Sequence, residues 1–522
     1  MKYKNGYKLH EEILKGVNIL ADNVASTLGP KGRNVILCER GKTPFITKDG
    51  VTIAAFVHLE DSYFANAAAQ IVKQAASKTN DEAGDGTTTS TVLARALICE
   101  AQKFLRSGVS PVEMKRGMDN ACEKIIDFLQ KNSKPITNKE DIVHVATISA
   151  NGDKVVGELV ATAIDQAGKD GAVTIEEARS TETSLDTIEG FIFGAGFASA
   201  SFITDERRRA VKYEDCLIFV TDKKLEKVDE MLPVLELAAR ESRPLIIVAD
   251  DLEGQLLAAL IMNSVRGTMK VAAVKAPYYG EERRAILSDL AIATGAHFFA
   301  RSDTVPFSEV KLEHFGKAKS AEITKNITTI AGGACDFEKV EERIELLKEQ
   351  IKEEDSLQTC ERIQKRITRL ASGVAVIRVG GATQVEMTEK KHRVEDALEA
   401  IRAAQLGGIH AGGGVPLARA AQEIKTPEEL NSEQKIGFNL VLNSIKEPIK
   451  QMAINAGASP DIVVKMVESE SAEVGYDFAV GELVNMSEAG IIDPVMVTCC
   501  ALRNAVSVAS TLITTNYAII QE

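Results

Sequence analysis

A loop that leads into a helix, residues Asp85–Thr89, constrains this chain most. It holds one carboxylate, one glycine and three consecutive hydroxyl side chains, and the helical spacing of Val92, Leu93, Ala96 and Leu97 follows it. This pattern predicts a helix whose first turn directs free backbone N–H groups and the positive end of its dipole into the loop. Glycine permits a close approach to the backbone, and the carboxylate suits a hard cation. The segment therefore indicates either a phosphate site or an ordinary N-cap with a polar first turn.

The length and charge of the chain limit what it can bind. Its 522 residues are too many for one hydrophobic core and predict about two to four domains. A net charge of −13 and a pI near 5.3 argue against nucleic acid or an anionic membrane as the main partner. We find no apolar run of membrane-spanning length and no signal-peptide core at the first residues. We therefore expect no nucleic-acid partner and no membrane partner.

The eight cysteines and seven histidines form no metal-binding pattern in the sequence. No C-x-x-C pair, no H-E-x-x-H and no mixed Cys/His cluster occurs. A disulfide framework is unusual in so large a chain, and buried free thiols fit a reducing compartment better. The cysteine usage therefore predicts a cytoplasmic protein.

The hydrophobic spacing separates a helical part of the chain from an α/β part. Helices are predicted at about 11–28, 63–77 and 90–105, a short strand at 34–38, and helices again after about 430, until a strand-like end at 518–520. Between these regions, β-rich runs at 217–221, 245–249 and 271–274 alternate with helical stretches at about 226–241, 253–266 and 282–295. The alternation predicts a parallel sheet flanked by helices, and residues 338–371 predict a helical hairpin.

The two commonest nucleotide-binding fingerprints are absent from the sequence. Gly41-Lys42-Thr43 has the end of a Walker A loop, but Ile36 stands where its first glycine belongs. Gly194-Ala195-Gly196 lacks the third glycine of a dinucleotide fingerprint and follows no predicted strand. Nucleotide binding must therefore depend on another set of residues.

Four distant glycine-rich or hydroxyl-rich segments, taken as a set, supply that alternative. They are Thr27–Arg33, Ile46–Val51, Asp85–Thr89 and Gly412–Gly414. Further matching segments are Val271–Pro277, Glu389–Lys391, Arg393–Ala397 and Gly490–Pro494. In this order, and over nearly the whole chain, they resemble the group I chaperonins of the GroEL type.

The resemblance implies a multidomain α and α/β fold, the chaperonin fold. A helical equatorial domain would comprise residues 1–132 and 408–522, a small α/β intermediate domain residues 133–189 and 373–407, and an α/β apical domain residues 190–372. The matching hinge positions are Pro135, Gly190, Gly373 and Gly408. Glycine at such a boundary is equally consistent with an ordinary turn.

The resemblance also implies an ATP-dependent chaperone, which is an ATPase. ATP-binding positions of the family match Thr27, Leu28, Gly29, Pro30, Lys48, Asp85, Gly86, Thr87, Thr88, Thr89, Gly413, Asp477 and Asp493. Asp85 would carry Mg²⁺, and a K⁺ ion is an option at Thr27, Lys48 and Thr88. Asp49 and Asp396 would orient or deprotonate the attacking water. Without the resemblance, Asp396 would be interpreted as a solvated acid on a helix.

The predicted helix over Asp251–Arg266 carries two apolar stripes. Leu252, Leu256 and Leu260 form one stripe, and Leu257, Ile261 and Val265 form another. The helix is therefore either buried between two layers or apolar on an exposed face. In the chaperonins the exposed face binds non-native polypeptides and a GroES-type cochaperonin. The matching positions are Phe197, Phe202, Leu232, Leu235, Leu257, Ile261 and Met262.

Several positions depart from the chaperonin pattern. Asp477 replaces an asparagine near the adenine, which could weaken nucleotide affinity. Ala195 and Gln384 replace an Arg–Glu pair between neighbouring subunits. Lys450 and Ser459 replace an arginine and a glutamate where two rings meet. By contrast, ion-pair positions are retained at Asp153 with Arg393 and at Asp81 with Lys325. These departures predict weak coupling between subunits and between rings.

The resemblance thus implies a chaperone that forms a homo-oligomer of seven-membered rings, one or two in number. A non-folding paralogue, acting as a scaffold or regulatory binding protein, is the main alternative. An ATP-dependent small-molecule enzyme is a third, but no substrate-specific pocket motif or activated nucleophile supports it.

Overall fold

The structure is a computed structural model, and it describes residues 2–39, 44–60, 62–167, 172–178, 180–206, 208–302, 306–334, 337–353, 357–371 and 373–520. These residues form two compact units. Unit 1 comprises Met1–Ala161, Arg179–Thr181 and Gly380–Glu522, and unit 2 comprises Thr162–Ala178 and Glu182–Val379. The predicted intermediate domain is divided between the two units, and the three-domain division stays a prediction.

Eighteen α-helices lie within the described residues. They are α1 (Gly6–Ala25), α2 (Gly50–Phe56), α3 (Tyr63–Ala83), α4 (Thr87–Arg106), α5 (Pro111–Lys131), α6 (Lys139–Ser149), α7 (Lys154–Ala167), α8 (Val228–Glu241), α9 (Gly254–Val265), α10 (Gly280–Thr294), α11 (Phe337–Glu353), α12 (Leu357–Ala371), α13 (Gln384–Gly407), α14 (Val415–Glu423), α15 (Ser432–Ser444), α16 (Glu447–Ala456), α17 (Pro460–Ser469) and α18 (Val495–Thr514).

Nineteen strands lie within the same described ranges. They are β1 (Lys2–Asn5), β2 (Val35–Leu37), β3 (Phe45–Thr47), β4 (Ala172–Glu177), β5 (Ser184–Phe193), β6 (Val211–Thr221), β7 (Lys224–Leu225), β8 (Leu245–Ala249), β9 (Asp251–Leu252), β10 (Val271–Lys275), β11 (Phe298–Phe299), β12 (Gly316–Ile323), β13 (Thr328–Gly333), β14 (Gly373–Val379), β15 (Ile409–Ala411), β16 (Val474–Asp477), β17 (Glu482–Asn485), β18 (Ile492–Pro494) and β19 (Tyr517–Ile520).

Unit 1 is a helical bundle with small two-stranded sheets at its edges. Its core packs α18 against α3, α4 and α5, and α1 lies against α3 and α4. The predicted stripe on α1 is buried, and the predicted helices near 63–77 and 90–105 are present as α3 and α4. The strand-like end is β19, which pairs antiparallel with β1. Strand β1 has no counterpart among the predicted elements, because a strand of four mostly polar residues shows no clear alternation.

Helix α18 corrects the expectation that no apolar run reaches membrane-spanning length. By length and hydropathy, Val495–Thr514 could cross a bilayer, and no other helix among the described residues passes the same test. However, 72% of its apolar stretch is buried inside the protein. Its apolar side chains therefore belong to the core of the bundle.

Unit 2 is built around a nine-stranded sheet in the order β10-β8-β6-β12-β13-β5-β14-β4, with β11 paired to β6. The predicted parallel sheet is confirmed for the strands on which the prediction rested, since β10, β8 and β6 pair in parallel and β11 joins them. The sheet then continues with β12 and β13, which are antiparallel to their neighbours. These strands lie beyond the β-rich runs on which the prediction rested. The predicted helical hairpin is present as α11 and α12.

A buried ion cluster ties this hairpin to the rest of unit 2. Asp289 of α10 is 1% exposed and accepts from Arg343 of α11 at 3.0 Å and from Arg366 of α12 at 2.7 Å. A second nitrogen of Arg366 donates to the same carboxylate at 2.9 Å. Two arginines thus satisfy one buried carboxylate, as a charge in the interior requires.

The predicted hinge residues have definite places in the two units. Strand β5 pairs with β14 up to Glu189, opposite Gly373, and with β13 from Gly190 onward. A Cβ at Gly190 would lie 2.2 Å from Val374, so only glycine fits this crossing. In unit 1, Pro135 follows the bridge between Lys134 and Ile409, and Gly408 has a left-handed backbone. Hinge motion at these positions stays a prediction.

Candidate functional site

Unit 1 contains a cavity of about 400 Å³, lined by loops and helices from distant parts of the chain. Every residue that the sequence predicts for nucleotide binding or hydrolysis lies on its wall. These residues are Thr27, Leu28, Gly29, Pro30, Lys48, Asp49, Asp85, Gly86, Thr87, Thr88, Thr89, Asp396, Gly413, Asp477 and Asp493. The distant sequence segments are therefore brought together in one place.

The loop before α4 leaves the start of this helix open toward the cavity. Gly86, the N-cap residue, has a left-handed backbone and no side chain with which to cap the helix. Asp85 accepts from the Gly86 N–H at 2.5 Å, so its carboxylate does not cap the following turn. The first N–H groups of a helix have no partner within it. Of the two interpretations of this loop, the geometry favours the anion site over the side-chain cap.

Asp49 caps the neighbouring helix α2 with both of its carboxylate oxygens. Oδ1 accepts from the Val51 N–H at 3.1 Å, and Oδ2 accepts from the Thr52 N–H at 3.0 Å and from the Thr52 hydroxyl. The next residue is Gly50, where a Cβ would lie 2.5 Å from the Thr88 hydroxyl. The start of α2 therefore packs directly against the start of α4, and Asp49 is held rigidly beside it.

Lys48 brings a positive charge to the same wall. Its Nζ donates to the Gly29 carbonyl at 3.1 Å and to Asn151 Oδ1 at 3.0 Å. Burial lowers the pKa of Lys48, and the positive charge of Arg393 lowers it further, while Glu389 opposes both. The ammonium group thus lacks a full counter-charge, which suits a site for an anionic ligand.

Three carboxylates line the cavity, and neighbouring negative charge raises the pKa of two of them, Asp85 and Asp493. Burial raises the pKa of Asp493 to about 7, and the charge of Asp85 adds to the shift. Burial likewise raises the pKa of Asp85, with a contribution from Asp49, although Gly86 and Ser149 donate hydrogen bonds to it. A bound cation would relieve this repulsion.

These carboxylates fit a magnesium ion that completes its coordination with phosphate oxygens. No group of three His, Cys, Asp or Glu residues that could hold a metal by itself occurs in the part of the chain that the structure describes. Mg²⁺ characteristically uses one or two carboxylates together with phosphate oxygens and water. The donor set is therefore incomplete without a phosphate ligand.

The far end of the cavity is apolar and lies next to strands β16 and β18. Gly413 has a left-handed backbone, and its N–H donates to Asp493. Asp477 lines the wall, and its Oδ1 accepts from the Ala479 N–H at 2.7 Å. Asp477, which departs from the chaperonin pattern, therefore accepts a hydrogen bond within its own turn.

Sequence reasoning missed several residues of the wall. Tyr476, Met452 and Met486 supply apolar surface, Asn151 positions Lys48, and His410 faces the cavity opposite Asp493 in the β15–β18 ladder. Burial lowers the pKa of His410 to about 4. None of these side chains belongs to a motif with fixed spacing, so only the fold could locate them.

Helix α13 brings Asp396 to the cavity together with Arg393. The Arg393 guanidinium donates to Asp153 Oδ2 at 2.9 Å and to Glu389. This confirms that the retained Asp153–Arg393 positions form an ion pair. The lysine at the altered ring position, Lys450, pairs within its own helix, with Glu447 at 2.9 Å.

A second candidate surface lies on unit 2, between helices α8 and α9. The two stripes of α9 behave as the exposed-face interpretation predicts, because Leu256 and Leu260 are buried whereas Leu257 and Ile261 are half-buried. Met262 of α9 is 47% exposed, and Leu232 of α8 is 46% exposed. These residues form an apolar groove that is open to solvent.

Two of the predicted groove residues do not lie on this surface. Phe202 is fully buried in the core of unit 2, and Leu235 is 9% exposed. Phe202 lies in a one-turn helix that packs on α9, and Leu235 faces inward from α8 beside Met231. Phe202 and Leu235 belong to the core against which Leu257 and Ile261 pack. Phe197, which bridges to the edge strand β10, is half-buried.

Comparisons with known proteins agree with this architecture. Residues 20–522 match the family described as the TCP-1/cpn60 chaperonin family. The structure is similar to that of the chaperonin gp146 from the bacteriophage EL 2 (Pseudomonas aeruginosa), crystallised in the presence of ATP-BeFx, with a TM-score of 0.67 and 21% sequence identity over 100% of both chains. The chain therefore belongs to the TCP-1/cpn60 chaperonin family, as a divergent chaperonin of the group I type with a multidomain α and α/β fold.

Proposed function

We propose that this chaperonin binds and hydrolyses ATP in the cavity of unit 1 and captures non-native polypeptides in the groove of unit 2. The observation that carries the proposal is the convergence of all the predicted nucleotide residues on one cavity wall. A scaffold protein with the same fold would not need three carboxylates and an open helix start on that wall.

The triphosphate is proposed to lie across the start of α4. The first-turn N–H groups and the hydroxyls of Thr87, Thr88 and Thr89 would receive the β- and γ-phosphates, with Lys48 as the positive charge. Gly29 and Pro30 would allow the backbone to approach the phosphates. The base and ribose would occupy the apolar end, near Gly413 and Asp493.

Asp396 is the better candidate for the proton acceptor, and Asp49 for orienting the water. Both oxygens of Asp49 already accept hydrogen bonds from the start of α2, which fixes their direction. Asp396 lines the same cavity from α13 and is half-buried. Hydrolysis needs a water in line with the γ-phosphate and little covalent chemistry from the protein.

Asp85 would hold Mg²⁺, which supplies charge neutralisation between phosphate oxygens when it is bound. For K⁺, the predicted positions are Thr27, Lys48 and Thr88. The Thr27 hydroxyl donates to the Val24 carbonyl, and the Lys48 ammonium already contacts the Gly29 carbonyl. The Lys48 ammonium could therefore take the place of a monovalent cation.

The groove would bind the hydrophobic surface that unfolded chains expose, without reading a sequence. A GroES-type cochaperonin would compete for the same groove, and the chain would assemble in seven-membered rings, single or double. We propose assembly and cochaperonin use from the family, and a cytoplasmic location from the cysteine usage.

The test is to measure ATP binding and hydrolysis for two aspartate variants. Asp85→Ala is expected to weaken Mg-ATP binding, because it removes the cation ligand. Asp396→Ala is expected to retain binding and to hydrolyse ATP more slowly by about 100-fold or more, the usual contribution of a general base. Calorimetric titration gives the affinity, and phosphate release gives the rate.

Glu386→Ala is a matched control, because this acid lies on α13 but pairs with Lys390 outside the cavity. It should hydrolyse ATP at the wild-type rate. Wild-type turnover by Asp396→Ala would contradict the catalytic assignment, and a wild-type protein without any ATP turnover would favour the scaffold alternative. Electron microscopy with and without ATP tests the ring.

A further inference from the structure

Four polar residues of α13 form one continuous stripe along the cavity. Glu389, His392, Arg393 and Asp396 all line the wall, and their spacing of three and four residues places them on one face of the helix. His392 is not one of the nucleotide-binding or hydrolysis positions named above. It lies one turn before the proposed proton acceptor, on the same side.

The direction of helical side chains brings His392 and Asp396 together. Side chains on a helix lean toward its N-terminus, and residues four apart are neighbours on its surface, so His392 and Asp396 hold adjacent positions on the cavity-lining face of α13. Arg393 is held by Asp153 and Glu389 through its two terminal nitrogens. His392 is therefore the residue in this turn that can exchange a proton at ordinary pH.

We propose that His392 is a positioning residue for Asp396 and the next proton acceptor during ATP hydrolysis. The inference rests on the proposed function. As the water oxygen bonds to the γ-phosphorus, the bond to the bridging oxygen of ADP breaks, and that oxygen takes the electron pair. The proton of the water passes to the Asp396 carboxylate, then to the neutral imidazole of His392, and from there to solvent.

The protonation of His392 then sets the rate of this step. An imidazolium cannot accept the proton, and it would pair with the Asp396 carboxylate and make that group a weaker base. Hydrolysis should therefore decline toward acid pH, where the imidazole takes up a proton.

Other charged groups also face this part of the cavity. Its walls carry Lys48, Asp49, Asp85, Glu389, Arg393, His410 and Asp493. Helix α6, which packs against α13, carries Lys139, Glu140, Asp141 and His144, none of which lines the cavity. The acids near the phosphate site would affect ATP affinity, so the test must measure the chemical step at saturating Mg-ATP.

The experiment is a single-turnover measurement of ATP hydrolysis from pH 5.5 to 8.5 at saturating Mg-ATP, on the full chain. For the wild type, the rate should fall about tenfold per pH unit on the acid side. His392→Gln keeps a polar side chain but cannot titrate, so its rate should be about tenfold lower at pH 8 and nearly independent of pH. His392→Ala should give the same flat profile, and both variants should bind ATP with wild-type affinity.

His144→Gln is the matched control, since it removes a histidine of the same unit that does not line the cavity, and it should keep the wild-type profile. A wild-type acid limb that persists in both His392 variants would overturn the inference while leaving the proposed function intact. Absence of hydrolysis by the wild type at every pH would overturn the proposed function and this inference with it.

Discussion

The cavity of unit 1 and the groove of unit 2 are built in opposite ways. The cavity collects short polar segments from distant parts of the chain and holds each one by hydrogen bonds, such as those of Asp49 to the start of α2. The groove uses two nearly adjacent helices whose apolar faces are left half-covered. Catalysis thus needs polar groups that are each held in a fixed orientation, whereas capture of unfolded chains needs only exposed apolar area.

The largest effect is expected for substitutions in the two apolar stripes of α9. Leu260 is buried, so Leu260→Ser should lower the free energy of unfolding by roughly 2–5 kcal/mol through loss of core contacts. Ile261→Ser changes the neighbouring, half-buried position and should lower the stability much less, yet abolish capture of an unfolded client. Thermal melting gives the stability, and suppression of client aggregation gives the capture.

Leu257→Ser should behave as Ile261→Ser does, and neither should alter the rate of ATP hydrolysis. A large loss of stability in Ile261→Ser with normal client capture would show that this stripe belongs to the core. The groove would then not be an exposed apolar surface, and the contrast with the hydrogen-bonded cavity would not hold.

The next effect concerns the pH dependence of stability in unit 1. The pKa of Asp493 is raised to about 7 in the folded protein, above the usual value of about 4 for an unfolded aspartate. The folded state therefore binds more protons between these values, and this group's contribution to stability is lost as the pH rises from about 4 to 7. Asp493→Asn should remove that slope, measured as melting temperature from pH 5 to 8 without nucleotide.

His410, opposite Asp493 in the ladder, acts with the reverse sign. Its pKa is lowered to about 4, so its contribution to stability is lost as the pH falls below its ordinary value of about 6.5. The difference between wild type and Asp493→Asn isolates the aspartate. If the difference in melting temperature between the wild type and Asp493→Asn were constant with pH, the raised pKa of Asp493 would be contradicted.

The smallest effect is expected in the coupling between subunits. The loss of an ion pair at Ala195 and Gln384 is worth at most about 1 kcal/mol per contact. A ring whose subunits move together multiplies such a contribution. We therefore predict a shallow dependence of the ATPase rate on ATP concentration and a substantial population of single rings.

Ala195→Arg combined with Gln384→Glu should steepen that curve, whereas either change by itself should not. Native mass spectrometry gives the ring stoichiometry. A steep sigmoid in the wild type, together with double rings throughout, would refute the prediction.

The cavity was predictable from the sequence to the extent that its residues belong to motifs. The segment Asp85–Thr89 predicts the start of α4. The family pattern adds Asp396, although the sequence around this residue gives no reason to expect a catalytic acid. Residues such as His410 and Asn151 were missed, because their roles depend on which loops meet. For the groove, the two stripes of α9 were predicted correctly from helical periodicity.

The limits of the sequence are clearest in unit 2. The direction of β12 and β13 could not be inferred, because antiparallel pairing depends on which strands become neighbours in the sheet. The burial of Phe202 was hidden for a similar reason, since its short helix is covered by α9 and gives no periodic signal of its own. Long-range packing thus decides what local patterns leave open.

The way the two units divide the chain has a consequence for the order in which they can fold during synthesis. All of unit 2 lies between Thr162 and Val379, so its strands β4 and β14 can pair once the ribosome has released the latter. The bundle of unit 1 needs α18 against α3, α4 and α5, and Val495–Thr514 is made more than a hundred residues later. We therefore expect unit 2 to fold first. Until α18 has been synthesised, the helices of unit 1 expose the apolar faces that α18 later covers.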